Sequence, residues 1–576
     1  MSRTLKLFSR LPALAMVVVD LLVVFGLTGC FVVDALPGNK RPGGSRPAPI
    51  KIDPTSTPEP APPPKTLEGE RLLRRITLEL TGSLPTAEQR ATYAAEPKTL
   101  PDTIDDLAES AETARTLAEA HRMMWRINAR LLPDVDRFAL TNSTLATALT
   151  AATRVEIIGE PLAMVRKLLD DNRPYDELFK RNYTIAHSDV LSLWGYTEGA
   201  QVWSDEPYFT ADFPDSRPAA GILTSQGFLA AFGSEGRSDG VSYAAAILGR
   251  VACVSLETTK AHDFTALTTD QLSGDLRALA KTETKCASCH AQFTKTAPGI
   301  AGYGRPTDLT TWLARDTASD TASGIYAGYA FTGTSALAEL VGEDHRVKSC
   351  TVRNLISAFM HRPFSLTHDA VRFSLLLSEM KNNDNNLRRA AATLVKSEEF
   401  QWKPLTRSQP ADLAKRASGL HFLSRRHFLG LIKQLAPSAS FDLPEELDPG
   451  SEELAGTTFR MPGGTYFHHV NRLVRQLATA IINSELADGV EPSARVLLTG
   501  IPAGGAAGID AAAVSTAIIA VYKFLTGVDI SPDTTTQANL SGIFEAGGGA
   551  GTDATSRDAW RAVLIAIMLS PDFVTY

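Results

Sequence analysis

The stretch Cys286-Ala287-Ser288-Cys289-His290 is the feature around which the expected organisation of the chain is built. Its spacing, C-x-x-C-H, is that of a c-type haem attachment site. Residues three apart share one face of a helical turn, so both thiols can reach the two vinyl groups of one porphyrin. His290 can then bind the iron as proximal ligand. The pattern predicts haem c bound covalently by Cys286 and Cys289. The alternative is a redox-active or zinc-binding cysteine pair with an incidental histidine.

The N-terminus indicates the compartment in which this motif would work. Residues 1–29 have a cationic start and then an apolar run from Leu11 to Leu27, which is the pattern of a secretory signal. The sequence Leu27-Thr28-Gly29-Cys30 resembles a bacterial lipobox, and this resemblance implies cleavage before Cys30 and lipidation of its thiol. An uncleaved membrane anchor is the alternative, but Asp20 inside the apolar run argues against a stable span.

The residues after Cys30 set the expected location. Phe31, and not Asp, follows the cysteine, so the inner-membrane retention signal of such lipoproteins is missing. We therefore expect a protein of the bacterial cell envelope, held on the outer membrane by its lipid and facing the periplasm or the cell surface. Residues 30–66 are rich in proline, as in Pro58-Glu59-Pro60-Ala61-Pro62-Pro63-Pro64, and predict an extended tether.

Length and composition predict an ordinary globular protein beyond this tether. The chain has 576 residues, of which 44% are hydrophobic and 21% charged, and its net charge is −7. No block of basic residues accompanies this charge, which argues against nucleic acid as a partner. We predict a mainly α fold of two helical units, a cytochrome-c-like unit at 67–405 and a second unit at 406–576.

Helical periodicity supports this fold class. The leucines and the isoleucine of residues 72–80 follow a helical period, with Arg74 and Arg75 on the other side. Glu160-Pro161 predicts the start of a further helix, because proline is accepted in a first helical turn. The stretch from Tyr196 to Ser216 has no such period. It is rich in acidic, aromatic and turn residues and predicts a long surface loop or a lid.

A repeated pattern links the two predicted units. Residues 387–400 predict a helix that ends in an S-x-x-F turn, and residues 559–573 repeat this pattern near the other end of the chain. Residues 511–525 predict another long apolar helix just before the repeat. The second unit is therefore expected to follow the same plan as the end of the first.

Several segments resemble, in matching order, those of the planctomycete-type multidomain cytochrome-like proteins, which are also frequent in myxobacteria. Residues 75–86, RITLELTGSLPT, are similar to the RR-x-LDLTG-LPT segment of that family, and residues 172–184, NRPYDELFKRNYT, to its RPfdEll…dYT segment. Residues 217–229, RPAAGILTSQGFL, are similar to its R-x-GILT-x-GFL segment. Cys253 and residues 286–290 fall where the family has a cysteine and its C-x-x-C-H. The resemblance implies a cytochrome with a single haem motif.

The residues after the motif depart from that family. Where the family has DPLGF…FD-x-x-G-x-R, this chain has the shorter segment 291–305, in which Gly304 and Arg305 match the closing glycine and arginine. Arg305 is therefore a candidate for a contact to a haem propionate, since propionates favour cationic donors. A solvated or structural role is the alternative for this arginine.

The five cysteines can all be assigned. Cys30 is expected to carry lipid, and Cys286 and Cys289 haem, which leaves Cys253 and Cys350 as one pair in an oxidising compartment. We predict that these two form a disulfide, a bond that typically adds about 2–4 kcal/mol of stability. Two separate buried thiols are the alternative.

The second axial ligand of the iron decides what such a haem does. Met360 and His361 are the candidates, because the predicted disulfide would hold their helix near the haem. With that position filled, the expected function is extracytoplasmic electron transfer to an unknown redox partner protein. With it open, the protein would be a haem enzyme. A third possibility is a surface interaction or structural lipoprotein with a degenerate motif and no haem.

Overall fold

The computed structural model describes residues 65–127, 151–213, 216–232, 240–254, 292–303, 317–403, 421–441, 443–444, 447, 464–501 and 509–576. This part of the chain is mainly helical with little strand, as the sequence predicts. It belongs to one compact unit that extends from Pro62 to Tyr576. The predicted signal sequence and nearly all of the tether lie outside the described residues.

The described secondary structure has the following bounds. The helices include α1 (Gly69–Thr81), α2 (Ala87–Ala95), α3 (Leu100–Ala108), α4 (Ala111–Trp125), α5 (Ala151–Asp170), α6 (Ser188–Trp194), α7 (Gln226–Phe232), α8 (Val241–Ala246), α9 (Thr334–Glu343), α10 (His345–Met360), α11 (Leu366–Asn382), α12 (Leu387–Lys396), α13 (Glu398–Gln401), α14 (Arg425–Leu435), α15 (Gly464–Glu485), α16 (Ala511–Thr526), α17 (Thr534–Ala546), α18 (Asp553–Met568) and α19 (Pro571–Val574). The strands are β1 (Tyr183–His187), β2 (Gln201–Trp203), β3 (Glu206–Asp212), β4 (Ser323–Tyr326) and β5 (Tyr329–Thr332).

Helix α1 is buried on all sides over most of its length, from Leu72 to Thr81. The face opposite its leucines, which carries Arg74 and Arg75, does not meet water as amphipathic periodicity suggests, because both arginines are only 1% exposed. Residues from the far end of the chain cover this face. Arg74 donates hydrogen bonds to the carbonyl oxygens of Leu525 at 2.9 Å and Phe573 at 2.8 Å. Carbonyl oxygens thus replace the water that the guanidinium loses on burial.

Helix α1 ends where helix α14 crosses it. Gly82 caps α1 in the left-handed conformation, with φ 72°, and its N–H bonds to the carbonyl of Leu78. A Cβ atom at this position would lie 2.8 Å from the carbonyl oxygen of Arg426 in α14. Glycine therefore serves two needs here, the positive φ and the close approach of the two backbones.

The buried apolar side chains form two clusters. The larger runs from Leu67 to Phe400 and includes most of the leucine side of α1. The smaller is made by Phe422–Tyr576 together with Leu78 and Leu84. Helix α1 contributes to both clusters, so it lies between them.

A small antiparallel sheet replaces the loop expected between Tyr196 and Ser216, and that prediction is wrong. The sheet has the order β1-β3-β2, with Tyr183 opposite Asp212 and His187 opposite Tyr208. Its strands are short and mostly half-buried, so they lack a continuous apolar pattern. The pairing of β3 with the more distant β1 stabilises the hairpin, and local periodicity does not contain that information.

The expected start of a helix at Glu160 is also wrong. Pro161 lies inside α5, which begins before it at Ala151 and continues to Asp170. Packing against neighbouring helices, β1 and the segment near Phe179 holds α5 together despite the backbone hydrogen bond that proline cannot donate.

Both predicted S-x-x-F patterns are present as a helix followed by a short turn of helix. Ser397 separates α12 from α13, and Ser570 precedes α19, each in an extended backbone conformation. After each pattern the chain pairs with an earlier segment. Trp402 forms a bridge with Thr66, which precedes α1, and Thr575 forms a bridge with Phe422, which precedes α14. The two ends of residues 66–402 therefore pair with each other, and so do the two ends of residues 422–575.

The predicted pair of Cys253 and Cys350 forms a disulfide with a Cα–Cα distance of 5.3 Å. Cys253 follows the π-helix Ile247–Val251, which comes directly after α8. The disulfide joins this segment to the middle of α10. In the described ranges, no helix has both the length and the hydropathy needed to cross a bilayer.

Candidate functional site

The residues predicted for lipid and haem lie outside the described part of the chain. This applies to Cys30, Cys286, Cys289, His290 and Arg305, and their assigned roles stay predictions.

Met360 and His361, the candidates for the second axial position, lie at the end of α10. Met360 is completely buried in the larger hydrophobic cluster. His361 follows the helix in the left-handed conformation, with φ 47°, and its imidazole contacts Glu79 of α1. A non-glycine residue in this conformation costs about 1–3 kcal/mol and persists only where its surroundings hold it.

Glu79 is fully buried, and four side-chain donors converge on its carboxylate. Its Oε1 accepts hydrogen bonds from His361 Nε2 at 2.7 Å, His421 Nδ1 at 2.8 Å and Tyr576 Oη at 2.8 Å. Its Oε2 accepts one from Nη2 of Arg426. The donors come from three separate regions of the sequence, so Glu79 connects α1, α10, α14 and the segments beside α14 and α19.

A chain of hydrogen bonds leads from α14 to the same carboxylate. The Ser424 N–H donates to His427 Nδ1 at 2.8 Å, so in the neutral ring the proton is on Nε2. His427 Nε2 then donates to Tyr576 Oη at 2.8 Å, and the Tyr576 hydroxyl donates to Glu79. Burial, followed by the charge of Glu79, raises the pKa of Tyr576 well above its usual range. The tyrosine therefore keeps its proton and serves as a donor.

The charges of the cluster follow from its burial. Burial alone would raise the pKa of Glu79, but Arg426 and His361 outweigh it and hold this pKa well below its usual range. Burial lowers the pKa of His421 well below its usual range, and the neighbouring His361 lowers it further. For His427 burial has the same effect, reinforced by Arg426. The cluster is thus an ionised carboxylate held by one guanidinium, with His421 and His427 neutral at pH 7.

The arrangement offers three ligand atoms of the kinds that metal ions use. One carboxylate oxygen of Glu79 and one ring nitrogen each of His361 and His421 lie within 4.8 Å of one another. The imidazole rings of His361 and His421 stack with their centroids 4.2 Å apart. Two imidazoles and a carboxylate suit zinc and similar divalent ions.

A second buried carboxylate lies away from this cluster. Glu160 in α5 accepts hydrogen bonds from the hydroxyl of Thr184 and from the N–H of Gly227. Burial raises the pKa of Glu160 to about 7, although these two donors act against it. Glu160 therefore changes its protonation near neutral pH.

Sequence reasoning did not identify the Glu79 cluster. The signal available was an acidic residue between Leu78 and Leu80 in an apolar helix, which is unusual unless the charge is paired. No local pattern connects it to His421 or Tyr576, which are more than 300 residues away in the sequence.

Comparisons with known proteins give no further identification. No family model, no curated protein and no solved structure matches the sequence. The resemblance to the multidomain cytochrome-like proteins therefore depends on the sequence segments alone.

Proposed function

We propose that this protein is a lipid-anchored cell-envelope protein that carries one c-type haem and transfers electrons outside the cytoplasm. The observation that carries the proposal is the C-x-x-C-H motif at 286–290 behind an export signal that ends at Cys30. A covalently bound haem supplies a one-electron carrier, with Cys286 and Cys289 as its attachment points and His290 as proximal ligand.

The disulfide supports the compartment and the assignment of the cysteines. Cys253 and Cys350 are bonded to each other, so neither competes for the haem. Disulfides persist in oxidising compartments, where an exported protein would be. The remaining cysteines in the sequence are Cys30, Cys286 and Cys289, which are the three that lipid and haem require.

The described residues on both sides of the motif are fixed to the helical core. Before it, Cys253 is tied to α10 by the disulfide. After it, Phe293 and Ala297 are buried, and the Thr296 hydroxyl donates to the carbonyl of Ile325 at 3.1 Å. The described residues that flank the motif segment are therefore attached to the helical core.

Spectroscopy of the protein matured in a haem-attaching host tests the proposal. We expect a pyridine haemochrome spectrum of c type with one haem per chain, which the double variant Cys286→Ser/Cys289→Ser should lose. The matched control is Cys253→Ser/Cys350→Ser, which removes the same number of thiols and should keep the haem. A matured wild-type protein without the haemochrome band would refute the proposal and favour an interaction or structural role.

Carbon monoxide separates electron transfer from haem catalysis. If a side chain such as Met360 fills the second axial position, the Soret band of the reduced protein should not shift when carbon monoxide is added. His361 is engaged by Glu79 and is no longer the favoured ligand. A full shift at low carbon monoxide concentration would indicate an open position and a haem enzyme.

A further inference from the structure

We propose that Glu79, His361 and His421 bind one divalent metal ion of the zinc type in the interior of the protein. The site is separate from the haem motif, and its three side chains all lie in the described helical part of the chain. The occupant is identified by the donor set, two imidazole nitrogens and one carboxylate oxygen, which zinc binds at about 2.0–2.2 Å.

The present distances are close to those of an occupied site. His361 Nε2 and His421 Nδ1 lie 2.7 and 2.8 Å from Glu79 Oε1. Ligand atoms at two corners of a zinc tetrahedron lie about 3.3 Å apart. Each imidazole therefore has to withdraw from the carboxylate by only about 0.5 Å. The Tyr576 hydroxyl oxygen also lies 2.8 Å from the same carboxylate oxygen.

His421 can accept the ion without a proton leaving the protein. Its neutral ring now directs an N–H at Glu79, and a change of tautomer moves that proton to the other ring nitrogen and leaves a lone pair for the metal. For His421 this other nitrogen, Nε2, is buried and makes no hydrogen bond. The Glu79 contact and the stacked ring of His361 both orient His421, and its Nε2 can take up the proton.

Arg426 has two opposing effects on the site. Arg426 binds Oε2 of Glu79 and leaves Oε1 to the metal. It thereby orients the carboxylate, as the hydrogen-bond partners of metal ligands commonly do. Its positive charge also repels a cation, and among the residues that the structure describes no other carboxylate contributes to the group of ligands. We therefore expect an ion that a strong chelator removes rather than one that is trapped permanently.

The first test uses the untagged double variant Cys286→Ser/Cys289→Ser, which can bind neither haem nor a metal ion through these cysteines, stripped with a chelator, dialysed and then titrated with Co²⁺. We expect one equivalent to bind and to give the intense visible absorption of tetrahedral Co²⁺, and one equivalent of Zn²⁺ to displace it. Zinc bound after Zn²⁺ loading is then measured by mass spectrometry, separately from iron. Folded protein of this double variant that binds neither ion at this stoichiometry would overturn the proposal, independently of the haem.

Variants assign the bound ion to this cluster. His361→Asn and His421→Asn should each lose the single equivalent of zinc, with folding checked by circular dichroism. The matched control is His468→Asn/His469→Asn, because this adjacent pair on α15 is the obvious alternative histidine source on another helix. Zinc that is kept by the first two variants or lost by the control contradicts the assignment.

Discussion

Replacing Glu79 with alanine tests whether its carboxylate is the electrostatic centre of the fold. The Arg426 side chain is 2% exposed, and the carboxylate of Glu79 is its charged partner in the structure. Removal of one member of a buried ion pair costs about 3–5 kcal/mol. Three further donors, from His361, His421 and Tyr576, lose their acceptor in the same variant, and water entering the vacated space compensates them only in part. We expect Glu79→Ala to lower the free energy of unfolding by about 5 kcal/mol.

The assay is urea unfolding followed by tryptophan fluorescence, with chelator present so that bound metal does not contribute. Glu79→Ala/Arg426→Met should be less destabilised than the sum of its single variants, because the double variant leaves no buried charge unpaired. Asp488→Ala is the control: its exposed pair with Arg557 has an N–O distance of 2.8 Å, and its loss should change stability by less than about 1 kcal/mol. A loss below about 1 kcal/mol in Glu79→Ala, or simple additivity in the double variant, would refute this reasoning.

Three further predictions concern other parts of the molecule. Because burial raises the pKa of Glu160 from 4.5 to about 7, the folded state binds its proton more tightly than the unfolded state, and stability should fall by about 2.5 kcal/mol between pH 5 and pH 8. Cys253→Ser/Cys350→Ser opens a loop with a sequence separation of 97 and should cost about 2–5 kcal/mol in thermal or urea unfolding. Gly82→Ala should lower the melting temperature more than Gly69→Ala, because both positions have positive φ but only Gly82 has a backbone carbonyl within 3 Å of the added Cβ.

Each of these predictions has its own contradicting result. Glu160→Gln should remove the decrease in stability with pH, and an unchanged slope would assign that decrease to another group. The cysteine double variant should match wild-type protein that has been reduced, and equal stability of the oxidised and reduced wild type would contradict a structural role for the disulfide. Equal melting temperatures for Gly82→Ala and Gly69→Ala would mean that α1 and α14 do not cross as closely as described.

Much of the fold could be predicted from local sequence. The helical period of residues 72–80, the apolar helix at 511–525 and the two S-x-x-F patterns each correspond to an observed helix. The pairing of Cys253 with Cys350 followed from counting cysteines and the expected compartment. These features depend on residue spacing within one element or on composition, which a single sequence records directly.

The features that were missed depend on contacts between distant parts of the sequence. The arginine side of α1 has the pattern of a solvated face, and only the residues that fold over it, such as Phe573, make Arg74 a buried donor. The pairing of β3 with β1 and the hydrogen bonds to Glu79 likewise depend on residues that are distant in the sequence. The helical period of α1 indicates which side chains face away from one hydrophobic cluster. It does not indicate that a second hydrophobic cluster lies on the other side of the helix.

The buried charges of α1 also constrain the order in which the protein can fold. Arg74 finds its acceptor 499 residues later at Phe573, and Glu79 finds a donor 497 residues later at Tyr576. At a synthesis rate of about 5–20 residues per second, α1 emerges roughly 25–100 seconds before these partners exist. Until then its ionised side chains need water, which opposes premature burial of the helix. A copy truncated before Phe573 lacks these partners and should stay open to proteases, because helix α1 could then be buried only with its charges unpaired.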